Sequence, residues 1–181
     1  MVLTIFSNPT TGFKEDTKIL TDKGYIPIKD LKKGDLVKTL KHDYKPIHII
    51  GYSEIYHPVS ATRTPQQLYR CPQQAYPGMF DDLIIIGGHN ILVEVFISRK
   101  QREKTLEVNG DIYATDGRYR LPVWVDERAS VYETVGPFTV YHIALESNNI
   151  YMNYGIYANG LLVETCRKKC LNELSYMTLI E

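Results

Sequence analysis

The sequence predicts an all-β domain built from many short strands. Tyrosine is abundant, with 14 residues, and Val, Ile and Thr are common. Aromatic and β-branched side chains fit the pleated surface of a sheet better than the wall of a helix. The apolar runs are strand-sized, as in Leu83–Ile86 and Ile91–Phe96. Turn signals recur between them, at Asp22-Lys23-Gly24, Lys32-Lys33-Gly34-Asp35, Gly87-Gly88, Asn109-Gly110, Asp116-Gly117 and Asn159-Gly160.

Each element follows in order. TKILT (17–21), a DKG turn and YIPI (25–28) read as a hairpin, and DLVKTL (35–40) as the next strand. Residues 55–80 carry four prolines and read as a long irregular excursion. DLIIIGGHNILVEVF (82–96) reads as two apolar strands broken at Gly87-Gly88. SRKQREKTLEV (98–108) is short and charged, a solvated helix or a loop. FTVYHIALE (138–146) and YMNYGIYANGLLVE (151–164) read as the last pair of strands. CRKKCLNELSYMTL (166–179) places Leu171, Leu174 and Met177 at helical spacing, which predicts a short amphipathic C-terminal helix. The chain shows no solenoid-length repeat and no low-complexity segment.

Composition bounds the function. With 181 residues, 44% hydrophobic and 23% charged, the chain is long enough for one domain with a real core. Basic and acidic residues number 21 each, so nothing in the charge balance points to nucleic acid or an anionic membrane. The apolar runs are too short to cross a bilayer. MVLTIFSNPTTG lacks the basic and apolar regions of a secretory signal. Three cysteines (Cys71, Cys166, Cys170) are too few for a disulfide framework. The expectation is a monomer in a reducing, intracellular setting. Cys166-x3-Cys170 offers two of the roughly four ligands a structural zinc needs. The five histidines (42, 48, 57, 89, 142) show no metalloprotease spacing, and there is no phosphate-binding glycine loop. No metal and no cofactor is expected.

Three stretches, in order along the chain, carry a resemblance. GFKEDTKILTDKGYIPIKDLKKGDLVKT (12–39) resembles the first block of the Hint domain, which Hedgehog autoprocessing domains and inteins share. Asp16-Thr17, Gly24, Ile26-Pro27-Ile28, Asp30-Leu31 and Gly34-Asp35-Leu36-Val37 match its pattern. DLIIIGGHNILV (82–93) resembles the second block, centred on Thr-x-x-His. VYHIALESNNIYMNYGIYANGLLVETC (140–166) resembles the last two blocks, which close on a splice junction in inteins. The closing segment and YRLPVWVDERA (119–129) are similar to Hint-domain proteins of giant DNA viruses, which would place the chain in host cytoplasm or a virion. The resemblance implies a flattened, pseudo-two-fold all-β fold. Its domains would be an N-terminal flank (1–11), a Hint domain (12–166) and a C-terminal helical extension (167–181). Gly12 and Val163–Cys166 would lie together near His89. The span from His89 to Val140 is too short for an inserted endonuclease.

The resemblance also implies chemistry. Self-cleaving members begin with an acyl shift, in which a Cys or Ser at the first position attacks the carbonyl before it. The amide nitrogen must then receive a proton, which a second-block His supplies. Here the first position is Gly12, which has no nucleophile, so the Thr11–Gly12 bond is a scissile bond in a domain inactive or trapped as written. Its substrate would be its own N-terminal flanking segment. His89 aligns with the second-block His, and its surrounding LIIIGGHNILV favours that role over a merely hydrogen-bonded strand histidine. Ile86 stands where the family has Thr, so one orienting hydroxyl is absent. Gly87 and Gly88 could offer backbone N–H groups to the scissile carbonyl, or mark a bulge. His142 occupies the place of an assisting Asp, and its alternative is a structural histidine. Glu164 and Thr165 stand where splicing inteins have His and Asn. Thr165 has no amide to cyclise, so C-terminal cleavage by that route is not expected. Cys166 aligns with the residue that receives the N-terminal fragment in splicing. It reads first as a helix-start cysteine, and a further hypothesis makes it a thiol that attacks the Thr11 carbonyl across the site. The competing function is a degenerate Hint domain kept as a structural or protein-binding module.

Overall fold

The structure is a computed structural model and describes residues 9–173 and 176–180. The strands are β1 (Phe13–Lys14), β2 (Lys18–Thr21), β3 (Gly24–Pro27), β4 (Leu36–Lys38), β5 (Tyr44–His57), β6 (Leu68–Cys71), β7 (Leu83–Ile86) and β8 (Asn90–Val93). After helix α1 (Arg99–Asn109) come β9 (Ala114–Thr115), β10 (Arg118–Pro122), β11 (Ser130–Val131), β12 (Gly136–Leu145), β13 (Gly155–Ala158) and β14 (Leu161–Glu164). Helix α2 (Lys168–Glu173) and β15 (Thr178–Ile180) close the described chain. All pairings are antiparallel, and the strands join in the order β11-β6-β7-β1-β12-β5-β4-β2-β13-β14-β8-β10-β9, with β3 on β2 and β15 on β5.

The spine is the pairing of β5 with β12, in register from Gly136↔His57 to Ala144↔Ile49, with a bulge before Leu145. β5 is long enough to hold β12, β4 and β15 along its length. The two tight turns form as their residues dictate. The β2–β3 turn closes at Thr21↔Gly24, where the Thr21 hydroxyl accepts from Lys23 N–H at 3.1 Å. The β13–β14 turn has Asn159 at φ 49° and Gly160 at φ 89°, the paired positive values of the hairpin turn that matches strand twist. This turn also organises a neighbour. The Asn159 side chain accepts from Lys18 N–H at 2.8 Å and donates to the Asp82 carbonyl at 2.9 Å. A Cβ on Gly160 would sit 2.3 Å from the Gly78 carbonyl oxygen, so no larger residue fits there.

Two expectations change. The stretch 55–80 is more ordered than its prolines suggest. It holds β6, which pairs with β7 and β11. Arg63 donates to the carbonyls of Trp124 (2.8 Å), Ala129 (2.7 Å), Asp126 (2.9 Å) and Val123 (3.5 Å). The Tyr69 hydroxyl closes the Thr64 turn through both its N–H and its carbonyl, at 2.8 Å each. Polar groups, not apolar periodicity, fix this loop, which is why no hydrophobic pattern announces it. The C-terminal helix is the second correction. It covers only Lys168–Glu173, and the chain then extends into β15 along Ile50–Tyr52 of β5. Gly51 leaves room there: a Cβ would lie 2.9 Å from Leu171 Cδ1 and 3.0 Å from Met177 Cβ. The open edge of β5 and the β-branched Thr178 and Ile180 favour a strand over a further helical turn. Leu174, the third residue of the expected apolar stripe, lies outside the described residues. Helix α1 takes the solvated form, capped by Ser98 and ended by Gly110, with Gln101 and Thr105 its buried residues.

The main core gathers Phe13, Ile19, Ile28, Val37, Ile50, Ile91 and Ile143 with others from nearly every strand. A second cluster holds Ile55, Leu68, Ile86 and Val140, and a third holds Ala144, Cys166 and Leu171; Met177 packs on both. Among the described residues no helix is long and apolar enough to cross a membrane.

The Arg63 fork yields a test. Arg63→Ala should lower stability by about 2–4 kcal/mol, because carbonyls held by a charged donor lose it. Arg63→Lys should recover less than half of that, since one ammonium cannot span four carbonyls. Urea denaturation at constant m-value measures both.

Candidate active site

The chain enters the site through Pro9, Thr10 and Thr11 and joins the sheet at Phe13, which pairs with Ile85 of β7 and Tyr141 of β12. Gly88 lets it approach. A Cβ there would lie 2.4 Å from the Thr10 carbonyl oxygen and 3.1 Å from Thr10 Cβ. Gly12 is then held at both its backbone groups. Its carbonyl accepts from Ile86 N–H at 3.0 Å, and its N–H donates to His89 Nδ1 at 3.1 Å. On the far side of the ring, His89 Nε2 lies 2.7 Å from the Glu164 carbonyl. A carbonyl only accepts, so Nε2 carries the proton and Nδ1 is left free to accept. The Glu164 carbonyl and the Gly12 amide together fix the tautomer of His89.

His89 and His142 are both buried, and their rings stack with centroids 4.7 Å apart. Phe13 packs on both, at 4.5 Å and 5.7 Å. Removal from water disfavours the imidazolium. Burial brings the His89 pKa down to about 4, against the opposing hydrogen bond to Glu164. Burial, followed by the neighbouring His89, holds His142 well below its ordinary value. His142 Nδ1 accepts from Ile143 N–H at 3.0 Å. Both rings are neutral at neutral pH.

A cleft of about 190 Å³ opens beside them, lined by Thr11, Arg120, His142, Asn153, Glu164, Thr165, Cys166, Arg167 and Cys170. The residues marked in the sequence thus converge, but several hold different positions from those the resemblance implied. The Glu164 carboxylate is engaged with Arg120 Nε (2.7 Å), the Thr115 hydroxyl (2.7 Å) and Asn90 Nδ2 (3.0 Å), and only its backbone carbonyl faces His89. The Thr165 hydroxyl accepts from Tyr154 N–H at 3.0 Å, and its carbonyl accepts from Asn153 Nδ2 at 2.8 Å. Cys166 is buried against Ala144 and Leu171, and its N–H donates to the Ile143 carbonyl at 3.0 Å. The Gly87 and Gly88 amides are not aimed at Thr11. They donate to the Gln67 and Pro65 carbonyls, at 3.0 Å each. The glycine pair acts by steric permission instead: a Cβ on Gly87 would lie 2.5 Å from Tyr69 Cε2.

Gly12 itself has φ +142°, a conformation L side chains rarely adopt. A Cβ there would meet Met177 Cε at 3.1 Å and the Tyr141 carbonyl oxygen at 3.2 Å. Sequence reading missed Phe13, Arg120, Asn153 and Met177. Arg120 had a weak signal, a second arginine two residues after Arg118 where the strand turns apolar. Asn153 and Met177 had none, since their partners lie far away in the chain. Among the described residues no cluster of His, Cys, Asp and Glu could hold a metal ion.

The pattern of the Hint domain family matches residues 11–105, more than half of the chain, and the chain belongs to that family. Solved structures similar to it include a DnaB intein from Synechocystis sp. PCC 6803, at 13% identity and TM-score 0.49, covering 86% of this chain and 99% of that one. A bacterial intein-like domain from Clostridium thermocellum is similar at 16% identity and TM-score 0.46, covering 86% and 98%. The gp41-1 intein is similar at 14% identity and TM-score 0.45, covering 84% and 97%. No curated protein matches the chain.

Two outcomes are expected. Unfolded, both imidazoles bind a proton near pH 6.5, whereas native His89 does so only at about 4 and His142 also well below 6.5. The unfolded state therefore holds more protons in this window. Stability is fully present above about pH 6.5 and falls as pH drops toward 4, with His89 alone accounting for about 3 kcal/mol. Urea midpoints across this range should show a shallower decline in His142→Phe. Separately, Gly88→Ala should cost about 1–3 kcal/mol, since the clash is with backbone. Amide exchange at Phe13 should rise in parallel, because Thr10 is displaced.

Proposed function

We propose that this chain is a Hint-type autoprocessing domain whose reaction is intramolecular cleavage of the Thr11–Gly12 bond by acyl shift, arrested because Gly12 replaces the nucleophile. Its substrate is its own N-terminal flanking segment. The observation that carries the reading is the 3.1 Å hydrogen bond from the Gly12 amide to His89 Nδ1. In the shift, a side-chain nucleophile at position 12 adds to the Thr11 carbonyl, the C–N bond breaks, and the nitrogen takes a proton. A neutral imidazole already touching that nitrogen is suited to collect the nucleophile's proton and pass it on. Negative charge developing on the Thr11 oxygen raises the proton affinity of the ring when the proton is needed. His142, stacked on His89 in the same dry pocket, supports its orientation.

The geometry favours N-terminal cleavage over splicing. Thr165 cannot form a succinimide, and the Glu164 carboxylate is locked in its ion pair. The Cys166 thiol, the candidate acceptor, has its pKa raised by its contact with Cys170 and by burial, which makes it a poor nucleophile. The likeness of 119–129 and the closing segment to Hint-domain proteins of giant DNA viruses fits a domain of this kind without an endonuclease insert.

One observation favours a second reading, a degenerate Hint domain retained as a structural or protein-binding module. Gly12 is at φ +142° with Met177 packed where a side chain would go. Intact mass of fusions carrying a folded tag ahead of residue 1 separates the two. The given sequence should stay whole. Gly12→Cys with Met177→Ala, which clears the space, should release the tag when a small thiol is added. His89→Ala in that background should slow release about 10²-fold or more. If the cleared Gly12→Cys protein stays whole, the module reading is correct.

A further inference from the structure

The cleft beside Thr11 contains two thiols that the proposed reaction does not use. Cys166 is buried at the start of the segment leading into α2, and Cys170 is half-buried within that helix. Both line the same cleft with His142 and Arg167. Cys71, the third thiol, is fully buried elsewhere in the main core. We propose that Cys166 and Cys170 form a redox-reactive dithiol, with Cys170 the attacking thiolate, Cys166 the resolving thiol, and a hydroperoxide the oxidant.

Chemistry and placement agree on these roles. Cys170 packs against the cluster that buries Cys166, so the two side chains are neighbours. This contact draws the Cys170 pKa down to about 6, assisted by Arg167 and opposed by burial and by Glu164. The same contact and burial raise that of Cys166. One sulfur is thus an accessible thiolate, and the other is a protonated neighbour held in place to react second. The thiolate attacks a peroxide oxygen, the O–O bond breaks, and Cys170 becomes a sulfenic acid while the peroxide is reduced to hydroxide. Cys166 sulfur then displaces the sulfenic oxygen. Its proton and that oxygen leave as water, and an S–S bond forms. Three residues separate the two cysteines across the start of a helix, and Cys170 packs against the cluster that holds Cys166.

Alkylation and mass spectrometry test the proposal in the whole protein. At about pH 6, iodoacetamide should modify native Cys170 about tenfold faster than the same thiol in urea, the gain in thiolate outweighing its lower intrinsic nucleophilicity. Cys166→Ala should slow this reaction several-fold, and Cys166→Ser, which keeps a donor, should restore it. Sub-stoichiometric hydrogen peroxide should remove about 2 Da from the intact chain, reversibly with dithiothreitol. Trypsin cuts after Arg167, Lys168 and Lys169, so peptides bearing Cys166 and Cys170 stay together only if bonded. In Cys166→Ser, peroxide should instead add about 16 Da at Cys170. Native Cys170 reacting no faster than in urea would overturn the proposal. So would peroxide treatment yielding no linked 166–170 peptide.

Discussion

Everything at this site depends on one constraint: a neutral imidazole is buried between two backbone groups of opposite character. Gly12 offers an N–H to one ring nitrogen and Glu164 offers a carbonyl to the other. No water is needed to satisfy the ring, so it can be sealed under Phe13 and His142. The two backbone segments must therefore be brought to the same place from opposite ends of the domain. The β1 junction between β7 and β12 does this for Gly12, and the β8–β14 pairing does it for Glu164.

The same constraint rests on backbone groups and not on the identity of the side chains that carry them. Glycine at position 12 still has an N–H, and glutamate at position 164 still has a carbonyl. The side chains at the neighbouring positions differ in what they hold. The carboxylate of Glu164 turns outward to Arg120, Thr115 and Asn90. At Thr165 a hydroxyl closes onto Tyr154 backbone, so the peptide there is tied by hydrogen bonds. These side chains hold their surroundings by hydrogen bonds and an ion pair.

Much of this was legible in the sequence. The short strands, the Asn159-Gly160 turn and the convergence of Gly12, His89 and Glu164 follow from turn chemistry and from the family blocks. What escaped was whatever depends on polar contacts between distant loops. The carbonyl fork of Arg63 leaves no periodic trace, and 55–80 read as irregular for that reason. The double glycine before His89 was legible as special but not in its role, because a close approach and a free N–H look alike in one dimension. The C-terminal helix was over-extended because Leu171 and Met177 are apolar for a different reason: they pack on Gly51.

Met177 links this geometry to the order in which the chain is made. It lies on Gly12, 165 positions earlier, and β15 beside it pairs with the middle of β5. During synthesis the segment ahead of residue 12 leaves the ribosome well before the clamp around its junction, which needs His142, Glu164 and Met177. Contacts of such separation form late. The Thr11–Gly12 peptide is therefore fully gripped only after Met177 has been made.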